Sequence, residues 1–167
     1  NYINLSYNKL GGVIPAYRNL SNLSQLYLHN NKYTGLNEFV NLPNLKYFYC
    51  HNQFTDGAPG ISGEIPDFSS CPSMYYLIMY NNSFTSYKTG AFESLPRLKY
   101  LDISNNNLSS QALEQIIIDL YQNYTDTPRG GVTVNVKNSM ISGATLPEET
   151  LELIILLRAK GWTVILQ

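Results

Sequence analysis

Side chains able to do chemistry are sparse in this 167-residue chain, which holds two histidines, two cysteines and an excess of fourteen tyrosines. A pair of imidazoles such as His29 and His51 can begin a metal site, but a stable site takes three or four ligands. The nearest acid in their repeating pattern is Asp102. No metal or other cofactor is therefore expected. An imidazole titrates near pH 6.5, so the pair suggests instead a mild pH dependence of ligand binding. Two cysteines cannot build a disulfide scaffold. Cys50 and Cys71 stand where leucines would, so both are expected as buried free thiols; a bridge would need their Cα atoms within about 7 Å. The chain contains no G-x-S-x-G, no H-E-x-x-H and no P-loop, and its Asp-Gly and Gly-Gly pairs sit in turns. It is not expected to be an enzyme. Six N-x-S/T sequons begin at Asn4, Asn19, Asn22, Asn81, Asn107 and Asn123. Each except Asn4 is carried forward as a possible glycan acceptor.

Composition narrows the partners. With 44% hydrophobic residues the chain can bury a core, and only 14% are charged, against roughly 25% in ordinary domains. The net charge is -1 and no basic run is present, which argues against nucleic acid. The longest apolar run, Leu153 to Leu157, is far short of the ~20 residues of a membrane span. Asn1-Tyr2-Ile3-Asn4 has neither the charged nor the apolar region of a signal peptide.

The elements that must position these residues follow from a repeat. Ile3-Asn4-Leu5-Ser6-Tyr7-Asn8-Lys9-Leu10 fits L-x-L-x-x-N-x-L. So do Leu26 to Tyr33, Leu77 to Phe84 and Leu101 to Leu108. The spacing is 23 residues from Asn8 to Asn31 and 24 from Asn82 to Asn106. The lead-in segments Leu20-Ser21-Asn22-Leu23, Leu42-Pro43-Asn44-Leu45 and Leu95-Pro96-Arg97-Leu98 repeat as well. Alternating apolar residues make a short strand with one buried face. The Asn sits where the chain turns out of the strand, and its buried amide can satisfy backbone groups there. One coil cannot bury its own apolar face, so coils must stack. The third copy, Phe48-Tyr49-Cys50-His51-Asn52-Gln53-Phe54, reads one residue short. Either Gln53 takes the Asn position, or Asn52 takes it with a local shift. A turn-rich insertion follows near residues 56–60.

These residues resemble leucine-rich-repeat (LRR) proteins. Gly12-Val13-Ile14-Pro15 and Gly63-Glu64-Ile65-Pro66 are similar to the L-x-G-x-I-P segment of the plant-type subclass, which also occurs in bacterial and viral proteins. The paired-cysteine caps common in plant ectodomains are absent. The resemblance implies an α/β fold: a right-handed solenoid, a horseshoe segment of about seven coils, with a parallel concave β-sheet and irregular or short helical convex segments. Residues 1–108 form the regular repeats. Residues 109–167 read as helix, strand, helix and strand, coils that cap the same solenoid. Ser109 and Ser110 stand before a helix with apolar residues at 113, 116, 117, 120 and 121. Thr145-x-x-Glu148 reads as a capping box for the second helix, and Gly161 as its stop. The near-continuous apolar surface of that helix predicts a buried cap. The first coil has no polar capping repeat, so the chain is expected to be part of a longer protein or assembly.

In such coils the residues between the leucines face outward on the concave sheet. Seven tyrosines fall there, at 2, 27, 47, 49, 76, 80 and 100. Tyrosine offers large rigid contact area and one hydroxyl at low entropic cost. The expected ligand-binding residues are Tyr27, His29, Tyr47, Tyr49, His51, Tyr76, Tyr80, Tyr100 and Asp102. The resemblance implies non-catalytic recognition of a protein, peptide or glycan, in an extracellular setting or displayed on a cell surface or virion, as in an adhesin, a tail or fibre protein, or a receptor. The alternative is an assembly unit that stacks through its solenoid ends.

Overall fold

The computed structural model describes residues 1–53, 57, 59–126 and 130–166. Seven short strands form one parallel sheet: β1 (Tyr2–Asn4), β3 (Gln25–Tyr27), β5 (Tyr47–Tyr49), β7 (Tyr76–Ile78), β9 (Tyr100–Asp102), β10 (Thr133–Asn135) and β11 (Thr163–Ile165). They lie in that order, each beside the next in the chain. The register is unbroken: Ile3, Leu26, Phe48, Leu77, Leu101, Val134 and Val164 are successive partners. These residues point inward, and all but Ile3 are buried. The chain is thus an α/β solenoid built on a parallel sheet.

The segments leaving the sheet differ from expectation. The two L-x-G-x-I-P-like stretches are strands rather than irregular turns. β2 (Gly11–Ile14) pairs in parallel with β4 (Lys32–Leu36), and β6 (Ser62–Ile65) with β8 (Ser83–Tyr87). Stacking sets equivalent exit segments side by side, and pairing satisfies backbone groups that an irregular turn would leave open. Inside the coils, Phe48 of β5 and Phe39, Phe68 and Phe92 meet ring against ring at 4.9 to 6.1 Å and are all buried.

Two ladders of amides join the coils. In the inner one, Asn31 Nδ2 donates to Leu28 O of its own coil (3.0 Å) and Leu5 O of the preceding coil (2.8 Å), while Oδ1 accepts from Leu10 N (3.0 Å). Asn82 and Asn106 repeat the pattern. The third coil is not short up to this point: Gln53 takes the position. Its Nε2 donates to Leu28 O and Cys50 O, and its Oε1 accepts from Tyr33 N. Phe54 and residues 55, 56 and 58 of the expected insertion lie outside the described residues. At Gly60 an added Cβ would stand 2.7 Å from Asn82 Oδ1. The outer ladder uses the residue just before. Asn30, Asn52, Asn81, Asn105 and Asn138 all adopt φ between 50° and 56°, a left-handed conformation that asparagine tolerates well. Each of the last four donates its amide to the Oδ1 of the one before, over 2.8 to 3.2 Å.

The sheet continues through two helices. α1 (Ser110–Asp126) starts on Ser109, whose Oγ accepts from Ala112 N at 3.1 Å. It is fastened by Asp119, which accepts from the Tyr87 hydroxyl and from Gly90 N. Asn123, 1% exposed, donates to the Phe92 and Glu93 carbonyls. α2 (Glu148–Ala159) does not form the expected capping box. Pro147 occupies the N-cap, with no side-chain bond, and Thr145 lies outside the helix. Gly161, at φ 83°, ends α2: its N–H bonds Arg158 O, and Trp162 N bonds Leu157 O. Nor is α2 wholly buried. Thr150, Ile154 and Leu157 are covered, whereas Leu151, Ile155 and Leu156 are exposed.

Candidate functional site

Because the strands share one register, the outward residues fall into rows across them. The first row runs Tyr2, Gln25, Tyr47, Tyr76, Tyr100, Thr133, and the second Asn4, Tyr27, Tyr49, Ile78, Asp102, Asn135. A third row lies just beyond the strand ends, at His29, His51 and Tyr80.

Each row is held by ring contacts. Tyr76 stacks between Tyr47 at 5.7 Å and Tyr100 at 5.6 Å, with planes 25° and 21° apart. In the second row Tyr27 and Tyr49 lie 4.9 Å apart, and the Tyr27 hydroxyl donates to Gln25 Oε1 at 2.8 Å. In the third, His51 stacks on His29 at 4.6 Å and on Tyr80 at 4.4 Å. Such pairs contribute about 0.5–1.5 kcal/mol each beyond their buried area, so these rings are rigidly placed before any ligand arrives. All eight aromatic residues of the expected set are half-buried.

The surface is mainly aromatic and polar. Burial, then the neighbouring Tyr27, Tyr76 and Tyr47, pushes the Tyr49 hydroxyl up to about 12. Burial likewise raises Tyr27, and it raises Tyr100 with help from the Asp102 carboxylate. Burial lowers His29; burial and then His29 lower His51 to about 4. The Nδ1 atoms of both histidines are buried with no hydrogen-bond partner among the described residues.

Asp102 is less open than the other residues of the expected set. It is 7% exposed, and its oxygens accept from Ser104 N, Ser104 Oγ, Asn135 Nδ2 and the Tyr100 hydroxyl. The carboxylate is occupied inside the sheet and holds Tyr100 and Ser104 in place. Among the described residues no group of three or more His, Cys, Asp and Glu side chains could hold a metal. Cys50 and Cys71 are free and buried. Burial, then Asp67, pushes the Cys71 thiol up to about 12, and burial raises Cys50 as well.

Two tyrosines absent from the expected set belong to this surface. Tyr7, in the left-handed position of the first coil, lays its ring edge on His29 at 5.3 Å. Tyr75, just ahead of β7, lies 5.2 Å from Tyr76 and 6.2 Å from Tyr47. Both stand one residue outside the alternation that marks the rows. Of the sequons, Asn19, Asn22 and Asn107 are exposed. Asn81 spends its amide nitrogen on Asn52. Asn123 is buried with its amide bonded, which is incompatible with a glycan in this fold.

Comparison with known proteins agrees with this architecture. The family model described as "Leucine rich repeat" matches residues 68–114. Receptor-like protein 39 of Arabidopsis thaliana is 37% identical over 108 residues, a match that takes in 61% of this chain and 11% of that protein's length. No described helix is long and apolar enough to cross a membrane. With its inward leucines in register, its buried amide ladder and these two matches, the chain is similar to leucine-rich-repeat proteins and has their α/β solenoid architecture.

Proposed function

We propose that the chain is a non-catalytic recognition module that binds a protein or peptide ligand on its concave sheet. The observation that carries this reading is the set of three contiguous aromatic rows, rigid and open to solvent. Large, preorganised aromatic side chains are the kind that dominate binding energy at interfaces. Glycans also stack on such rings and are a second ligand class for the same face. The setting we propose is extracellular, as part of a surface-displayed receptor or adhesin; similarity to a receptor-like protein supports a cell surface more than a virion. The test is Tyr49→Ala combined with Tyr76→Ala. Affinity for a ligand captured by the wild-type chain should fall at least about tenfold, with the melting temperature nearly unchanged. Unchanged affinity would move the site off the concave face. An assembly role is favoured by one feature, the exposed Leu151, Ile155 and Leu156 on α2. It predicts self-association, visible by sedimentation, that does not depend on the tyrosines.

A further inference from the structure

The concave rows carry few charges, with the Asp102 carboxylate buried, yet a groove of about 390 Å³ at their entry edge is basic. Its walls include Lys46, Tyr47, Tyr75, Arg97 and Lys99, and none of its lining side chains is acidic. Three of the chain's eleven lysines and arginines thus gather in one groove of a chain with net charge -1. The repeat brings them together. Lys46, Tyr75 and Lys99 occupy the same position ahead of β5, β7 and β9, linked by Tyr75 N to Lys46 O and Lys99 N to Tyr75 O, each at 2.8 to 2.9 Å. Arg97 precedes Lys99 by two residues. Lys99 Nζ is steadied by the Gly130 carbonyl at 3.0 Å. No carboxylate among the described residues lies within the 4.0 Å of an ion pair to any of the three cations. The groove runs directly into the aromatic rows, since Tyr47 is both groove wall and first-row residue, and Tyr75 touches Tyr76.

We infer that this groove takes the oxyanion of an acidic side chain on an extended peptide whose remaining residues lie across the tyrosine rows. The inference rests on the concave-face reading above and names its ligand more closely. Cations with no carboxylate partner among the described residues, set against aromatic walls, select a negatively charged group and fix the direction in which the peptide lies. A polyanion such as a sulfated glycan would call for cations repeated along the face, and beyond the groove the outward positions offer only Lys137. The charge here suits one anionic group on an otherwise uncharged chain.

The test starts from peptides selected on the wild-type chain out of a random synthetic library. Each is then remade with Asn or Gln in place of Asp or Glu. Binding is measured to the wild type, to Lys46→Glu/Arg97→Glu and to Tyr49→Ala/Tyr76→Ala. Lys46 and Arg97 are exposed, so the charge reversal leaves the core untouched, and circular dichroism checks the fold. The expected result has three parts: selected peptides rich in acids, a loss of about tenfold or more on amide replacement, and a similar loss for the charge-reversed chain, which no longer distinguishes acid from amide. If peptides are selected and depend on the tyrosines but not on their acids, the groove assignment is overturned and the concave-face reading stands. If binding ignores the tyrosines, or no peptide is selected, both fall. Tighter binding of a heparin hexasaccharide than of any peptide would overturn the peptide assignment.

Discussion

The imidazole of His51 lies 4.6 Å from that of His29, the two planes 10° apart. His51 is also sandwiched by Tyr80 and touched by Tyr49, and His29 by Tyr7, Tyr27 and Tyr49. No acid stands in these ring contacts to stabilise a positive charge, and a proton on one ring repels a proton on the other. Stacked imidazoles in this setting act as neutral aromatic plates.

This arrangement has a pH signature. The folded chain holds His51 at about 4, below the roughly 6.5 of an unfolded histidine. Between those values the unfolded chain binds more protons, so stability is full above about pH 6.5 and is lost as pH falls toward 4. His51→Tyr keeps an aromatic plate and removes the titration. Its melting temperature should therefore fall less than that of the wild type between pH 7 and pH 4.5. Parallel curves would show that His51 does not carry the effect.

Gln53 provides a test of the inner ladder. Gln53→Ala leaves the Leu28 and Cys50 carbonyls and Tyr33 N without their side-chain partner in the buried interior. Stability should drop by about 3 kcal/mol. Gln53→Asn, which restores the residue type of the neighbouring coils, should recover most of it in urea unfolding. Equal losses from the two substitutions would mean that the amide is not what matters.

Thiol chemistry should be silent in the folded state. Both cysteines are buried with raised thiol pKa values, and the thiolate is the reactive form. Iodoacetamide at pH 8 should add nothing to the native chain and two groups after denaturation. Rapid labelling of the native chain would contradict the burial.

Glycan placement gives a further check. Expressed through a eukaryotic secretory route, the chain should carry glycans only at its exposed sequons, Asn19, Asn22 and Asn107 among them. Peptide mass mapping should find Asn123 and Asn81 bare. A glycan on Asn123 would require α1 to leave the Phe92 and Glu93 carbonyls that it bonds.

The concave strands were legible because the side-chain period in a strand is two, and the Leu, Ile, Phe and Met spacing kept that period through every regular coil. The same alternation placed Tyr47, Tyr76 and Tyr100 in one row, as the ring contacts show. Where a residue sits off the alternation, as Tyr7 and Tyr75 do, pattern gives no direction and only the turn geometry does. Gln53 stayed ambiguous because one more methylene looks like a slipped register until its bonds are seen. The second strands at Gly11–Ile14 and Ser62–Ile65 were hidden by their glycines and proline, which read as turn. The Thr145 capping box failed because Pro147 already fixes the helix entry. Asp102 read as an open acid because the alternation gives its direction and not its bonds: Tyr100 and Ser104, two residues away on either side, and Asn135, 33 residues on, donate to it only once the chain is folded.

The outer ladder from Asn30 to Asn138 is a one-way chain: each inner amide gives a proton backward and receives one from ahead. Such a chain has no privileged link. A whole coil spliced between two existing ones, bearing Asn at the same place, would find a donor on one side and an acceptor on the other without disturbing its new neighbours. The seam therefore makes this architecture tolerant of changes in copy number and intolerant of partial ones. The concave surface can be lengthened or shortened by complete units while each remaining tyrosine keeps its row.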